Sequence, residues 1–251
     1  MRTNFPAVCL IASAGCLMIA VIGGAEDRHS AIRAEPTQAA RANEPTDARV
    51  FVVAYVEVMP SSESVAVALL KAYRDANRKD EGNLHAEVLR QNGRVGHFAV
   101  VEVWRDERAF TAHRAFAHTK QFLEKLQPLR VSGYDERSHT GLTIGSPLGA
   151  PSSAAIQVVT HVDIIPPGET QAAAKLKELA EASRKEEGNV RFDVLQGVRA
   201  NHFTVLEAWR NEKALEAHAT AAHTRKFREE VHPMALNGSP YDERLYEALS
   251  R

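Results

Sequence analysis

The stretch EVWRDERAFTAHRAFAHTKQF, which begins at Glu102, returns as EAWRNEKALEAHATAAHTRKF from Glu207. When His97 to Phe122 is aligned without a gap on His202 to Phe227, more than half of the positions are identical, so the chain carries an internal duplication. Two such copies are too few and too long for a solenoid, and each must be a small domain in its own right. The first spans residues 50–140 and the second 155–251, joined by a Gly-, Ser- and Pro-containing linker at 141–154.

Both copies spell one order of elements. The β-branched runs RVFVVAYVEVMP and AIQVVTHVDIIPPG predict strands that stop at Pro60 and Pro166, since proline cannot donate to a ladder. Small or apolar positions at Ala66, Leu70, Tyr73 and Asn77, matched by Ala172, Leu176, Leu179 and Ser183, predict the inner face of a helix. That helix closes at EGN in both copies, where Gly82 and Gly188 suit the left-handed position after a helix. Two strands joined around Asn92 and Gly93 follow. A helix capped by Asp106 or Asn211 comes next, and then an extended piece containing YDER at Tyr134 and Tyr241. The order βαββαβ is that of a ferredoxin-like plait, of class α+β. A plait covers one face of its sheet with helices and leaves the other bare. Two copies in one chain can bury those bare faces on each other, as a pseudo-two-fold barrel with helices outside. The duplication is then a fused dimer, and further association of whole chains is left open.

Charge and cysteine narrow the partners. Lys and Arg number 31 against 32 Asp and Glu, so no broad basic field offers nucleic acid a landing site. Cys9 and Cys16 both lie in the first apolar run, which removes thiol chemistry from the repeats. That run, uncharged from Phe5 to Ala25 with GGA before Glu26, predicts a signal peptide over residues 1–25. It is also long enough to serve as an uncleaved N-terminal membrane tether. The protein is therefore expected to be exported, periplasmic or extracellular, with residues 26–49 as a disordered linker.

On the third strand the alternation puts Phe98, Val100, Glu102 and Trp104 on one face, and Phe203, Val205, Glu207 and Trp209 on its counterpart. On the next helix Ala109, Phe110, His113 and Ala117 form a stripe, copied by Ala214, Leu215, His218 and Ala221. An imidazole on such a stripe is either a hydrogen-bonded core group or the wall of a pocket. His118 and His223 enlarge the set, and Tyr55 and His161 add polar groups at matching positions of the first strand, which favours a pocket. A metal is not expected, because residues five apart on an ideal helix point about 140° apart and neither copy has the i, i+4 histidine pair of helical zinc motifs. Phosphate loops, nucleophile elbows and dinucleotide fingerprints are missing from the text, which leaves proton abstraction and oxyanion stabilisation by His, Tyr, Glu and Asp. Tyr134, Arg137, Tyr241 and Arg244 of the YDER repeats are read as barrel-seam residues.

With EGN at residues 81–83 and 187–189, EVWRDERAFTAH followed by AHT at 117–119, and EAWRNEKALEAH followed by AHT at 222–224, the chain past residue 50 resembles the antibiotic biosynthesis monooxygenase family of dimeric α/β barrels. The resemblance implies a pocket between sheet and helices in each copy. In the enzymatic relatives that pocket oxygenates aromatic polyketides or quinols with dioxygen, without flavin, haem or metal. By position, it implies proton transfer by His113 and His218, and stacking or N–H donation to substrate by Trp104 and Trp209. Substrate contacts would come from Tyr55, His161, His118, His223, Glu102 and Glu207. The implied partners are a small aromatic molecule and dioxygen. Haem-degrading relatives use an Asn on the first strand, where this chain has Tyr55 and His161, so haem is only an alternative cofactor. A non-catalytic barrel that holds a small ligand is the alternative function. The copies differ at this position, Tyr55 against His161, which leaves open one active copy beside a structural half or two active copies.

Overall fold

The computed structural model describes residues 47–145, 155–236 and 241–249. The expected signal or anchor at 1–25 lies outside the described residues, as do most of the 26–49 linker and residues 146–154 of the inter-repeat linker. Among the described residues no helix is long and apolar enough to cross a membrane. The first repeat comprises β1 (Val50–Glu57), α1 (Glu63–Asn77), β2 (Asn83–Gln91), β3 (His97–Trp104), α2 (Glu107–Ala115), α3 (Ala117–Leu126) and β4 (Asp135–Thr143). The second repeats it as β5 (Ile156–Asp163), α4 (Glu169–Ser183), β6 (Asn189–Gly197), β7 (His202–Trp209), α5 (Glu212–Thr220), α6 (Ala222–Val231) and β8 (Tyr241–Ala248). Strand β4 runs on to Thr143, past residue 141 where the linker was expected to begin.

The strands form one closed antiparallel barrel in the order β1-β3-β2-β8-β5-β7-β6-β4. The last strand of each repeat makes the seam: β4 pairs with β1 and with β6 of the other repeat, and β8 pairs with β5 and with β2. Closure gives every described strand a neighbour on both sides and buries the face that the helices do not cover. The fold is therefore α+β, two βαββαβ units joined as one intramolecular barrel.

The pleat sorts side chains as the alternation predicts. Val56, Phe98 and Val100 face outward onto Leu70, Tyr73 and Phe122, and Val162, Phe203 and Val205 face Leu176, Leu179 and Phe227. Their neighbours Val53, Tyr55, Val101, Val159, Leu206 and Tyr246 meet inside the barrel. Each fully buried leucine on these helices, such as Leu70 or Leu176, contributes about 2 kcal/mol of transfer free energy. Elsewhere a polar contact spans the repeats, as Arg191 reaches Glu87 at 3.0 Å and Asp193 at 2.7 Å. Burial works to raise the Glu87 pKa, but His85 and Arg191 hold it below the usual carboxylate range.

Two local features set up the site. Where one helix was expected after the third strand there are two, because Phe116 (ψ 150°) and Ala221 (ψ 147°) are extended and break the spiral. Ala117 consequently opens a new helix and is exposed, and Thr119 and Phe122 take the inward places. The second feature is the left-handed backbone at Gly82 (φ +86°) and Gly188 (φ +88°), where an added Cβ would stand 2.5 Å and 2.6 Å from the Cβ atoms of Ala109 and Ala214. These glycines let the loop after α1, and the loop after α4, lie directly against α2 and α5.

Candidate functional site

Glu102 and Trp104 point from β3 toward the helices, and Glu207 and Trp209 from β7, all four buried. Both indoles are fully inaccessible and stack on imidazoles rather than on open space: Trp104 lies 4.4 Å from the His113 ring and Trp209 4.6 Å from His218. Their N–H groups donate to the glutamates, Trp104 Nε1 to Glu102 Oε2 at 3.1 Å and Trp209 Nε1 to Glu207 Oε2 at 2.9 Å. Neither indole is free to stack on a substrate as the family resemblance implied; each positions a carboxyl and a histidine. Burial pushes Glu102 up to about 7, against the pull of Trp104 and Asn77, whose Nδ2 donates to Glu102 Oε1 at 2.5 Å. Ser183 replaces Asn77 in the second repeat and donates to the Leu179 carbonyl instead. Glu207 thus has one donor fewer, and burial pushes it up to about 8.

The break after α2 brings His113 and His118 to one carboxylate. Asp80, in the loop held down by Gly82, lies 2.8 Å from His113 Nδ1 and 3.2 Å from His118 Nε2. Glu186 does the same for His218 at 2.6 Å and His223 at 2.8 Å. The argument that these histidines diverge by a helical angle therefore fails, because they do not share a helix. A carboxylate only accepts, so His113 carries its proton on Nδ1 and leaves Nε2 to accept from the Tyr73 hydroxyl at 3.0 Å. Burial holds His113 and His218 below the ordinary imidazole range, against the upward pull of Asp80 and Glu186.

The clefts differ. In the first repeat Tyr73, Arg114, Thr119, Leu123, Tyr134 and Glu136 line a cavity of about 390 Å³. Tyr73 is fixed there by stacking on Phe122 at 3.8 Å, and burial raises its pKa, so it stays a phenol. The matching cavity beside His218 and Glu207 holds only about 20 Å³, with Leu179 in the place of Tyr73 and with Arg228 folded over Tyr241 and paired with Glu243.

Tyr55 and His161 are not in either cleft. They point into the barrel, where Tyr55 Oη meets His161 Nε2 at 2.5 Å across the pseudo-two-fold axis. Arg137 and Arg244 flank the Tyr55 ring at 5.2 Å and 5.3 Å, as seam residues should, while their YDER partners Tyr134 and Tyr241 face the helices. His161 also lines an open polar hollow of about 540 Å³ with His139, Arg199 and His202. Burial holds His139 and His161 down to about 4, so both are neutral.

The structure thus groups Trp104, Glu102, His113 and His118, groups Trp209, Glu207, His218 and His223 likewise, and separates Tyr55 and His161 from both. It adds Asp80, Glu186 and Tyr73. The first two sit in the acidic text before EGN, KDEGN and KEEGN, and a helix end carrying a charge beside a buried loop was the available signal. The residues do not fit haem in this cleft, since both His113 nitrogens are engaged by Asp80 and Tyr73 and the first-strand position faces away from it.

A closed eight-stranded barrel of two plaits, each with a carboxyl, an indole and a histidine between sheet and helix, defines a fused dimeric α/β-barrel protein with acid–base clefts. Residues 49–125 and 155–230 each match the family described as antibiotic biosynthesis monooxygenase, and the chain belongs to that family in two copies. It is 30% identical over 73 residues, 29% of its own length and 77% of the relative's, to the Bacillus subtilis (strain 168) protein named "Putative monooxygenase YcnE". Among solved structures it is similar to a monooxygenase-named protein of Fusobacterium nucleatum, with a TM-score of 0.72 and 16% identity over 81% of this chain and 93% of that one. An anthrone oxidase-like protein follows at 0.65 and 16%, covering 81% and 92%. At such identities these likenesses define the fold.

Proposed function

We propose that the chain is a cofactor-independent monooxygenase that oxygenates a quinol-like or polyhydroxylated single-ring aromatic in the cleft of its first repeat. The observation that carries this is the hydrogen-bonded chain Asp80–His113–Tyr73, which ends in the wall of the 390 Å³ cavity. That volume falls in the range of small-molecule sites. A substrate hydroxyl placed against Tyr73 passes its proton to the phenol oxygen as Tyr73 passes its own to His113 Nε2, and Asp80 stabilises the imidazolium. Arg114 at the rim offers positive charge to the resulting phenolate. The electron-rich anion reduces dioxygen directly. One oxygen enters the ring and one leaves as water, so a quinol and dioxygen give a hydroxyquinone and water with no external reductant.

The second repeat, without the tyrosine or the space, serves as the structural half. Residues 1–25 extend the reading to an exported enzyme that meets its substrate outside the cytoplasm. The test is oxygen uptake by the purified chain over a panel of quinols with chelator present, comparing Tyr73→Phe. Uptake of one dioxygen per quinol that falls by about 100-fold or more in the variant supports the reading. Equal rates in both proteins, or binding of quinols without uptake, would replace it with the ligand-binding alternative.

A further inference from the structure

Each repeat places one carboxylate oxygen between two imidazoles that come from consecutive helices. The candidate ligand atoms of Asp80, His113 and His118 lie within 4.8 Å of one another, and so do those of Glu186, His218 and His223. Glutamate is one methylene longer than aspartate, yet its oxygen reaches the same place, so the two repeats hold one arrangement through different side chains. His118 Nε2 is buried and makes no hydrogen bond of acceptable direction, although Asp80 Oδ2 is 3.2 Å away. One buried imidazole nitrogen of the set is thus left without a hydrogen-bond partner.

Two imidazoles and a carboxylate are a donor set for zinc and similar borderline cations, whereas magnesium and calcium call for oxygen alone. Bonds of about 2.0–2.2 Å at tetrahedral angles put ligand atoms about 3.3 Å apart, so the carboxylate–imidazole gaps need open by less than about 1 Å. The path in is also present: His118 and His223 side chains are 31% and 32% exposed, while His113 and His218 behind them are 1% and 6%. We propose that each repeat binds a redox-inert divalent cation of the zinc type, through Asp80, His113 and His118 in the first and Glu186, His218 and His223 in the second.

The sites stand independently of the oxygenation reading, but one consequence rests on it. A cation on His113 Nδ1 displaces the proton from that nitrogen to Nε2, which then donates to Tyr73 and no longer accepts from it. An occupied first site silences the proton chain, and an occupied second site leaves it untouched.

The experiment is a zinc titration of the untagged, chelator-stripped chain against a chromogenic competitor, with circular dichroism as the folding control. His118→Ala and His223→Ala are suitable variants, because neither residue belongs to the proton chain. The expected result is two ions per chain, one in either single variant, and an affinity lower by about 100-fold or more at both sites in the double variant. Absence of binding, or a stoichiometry that survives in the folded double variant, overturns the proposal without bearing on oxygen uptake.

Discussion

Replacing Glu207 by Gln should stabilise this protein, and by an amount that depends on pH. The carboxyl is 7% exposed and accepts from Trp209, and among the described residues no basic nitrogen lies closer to it than His218 Nε2 at 3.7 Å. Its pKa rises from an ordinary 4.5 to about 8 in the fold. Between those values the unfolded chain is ionised and the folded one is not, so folding takes up a proton. The stability this group contributes is full below pH 4.5 and is lost as pH rises to about 8. At 1.36 kcal/mol per unit the loss is about 5 kcal/mol over the whole window and about 3 kcal/mol by pH 7. Glutamine keeps the acceptor for the Trp209 N–H and does not titrate. The variant should therefore match the parent near pH 4.5 and pull ahead as pH rises, reaching its full advantage by about pH 8. Urea unfolding at half-unit intervals from pH 4.5 to 8.5 measures it, through the midpoint at constant slope. A midpoint difference that does not change with pH would refute the reasoning, since Glu207 would then titrate alike in both states.

Three further outcomes follow from the geometry. His161 and His139 are held neutral to about 4, so their contribution is full above pH 6.5 and lost as pH falls to about 4; His161→Gln should remove about 3 kcal/mol of that acid-side loss, and urea melts with unchanged acid slopes would count against it. Gly82→Ala should lower stability by about 2–4 kcal/mol, because the new methyl meets Ala109 at 2.5 Å on left-handed backbone, whereas Gly93→Ala, left-handed with nothing within 4 Å, should lose about 1 kcal/mol; equal unfolding midpoints for the pair would be the contrary result. Asp80→Asn can donate to His113 Nδ1 and reverse its tautomer, so turnover should fall by about 10²–10⁴-fold with little change in KM, and an unchanged rate would remove Asp80 from the proton chain.

The barrel was legible because its evidence is periodic and doubled. Alternation fixed which side of β3 and β7 carries Trp104 and Trp209, and Asp106 and Asn211 cap their helices from side chains at 2.8 Å and 3.0 Å as read. The break at Phe116 and Ala221 was not legible, since neither is proline or glycine; just past it Thr119 and Thr224 are buried, and the Thr119 hydroxyl donates to the His113 carbonyl at 2.9 Å. With the break hidden, the convergence of His113 with His118 was hidden too. Tyr73 fitted the apolar spacing of α1 so well that its hydroxyl passed for packing. Tyr55 and His161 were matched correctly by alignment, but equivalence across a two-fold axis can mean mutual contact as readily as two copies of one pocket.

That contact records what a single chain allows and two identical chains forbid. In a homodimer of either half, the residue on the axis would face itself, tyrosine against tyrosine or histidine against histidine, and every substitution would arrive in duplicate. Here the Tyr55 hydroxyl meets the His161 imidazole, a heterologous contact at a position where symmetry would otherwise demand a homologous one. The same freedom lets Leu179 close one cleft while Tyr73 keeps the other open. Covalent fusion has turned a symmetric scaffold into one whose halves can specialise independently.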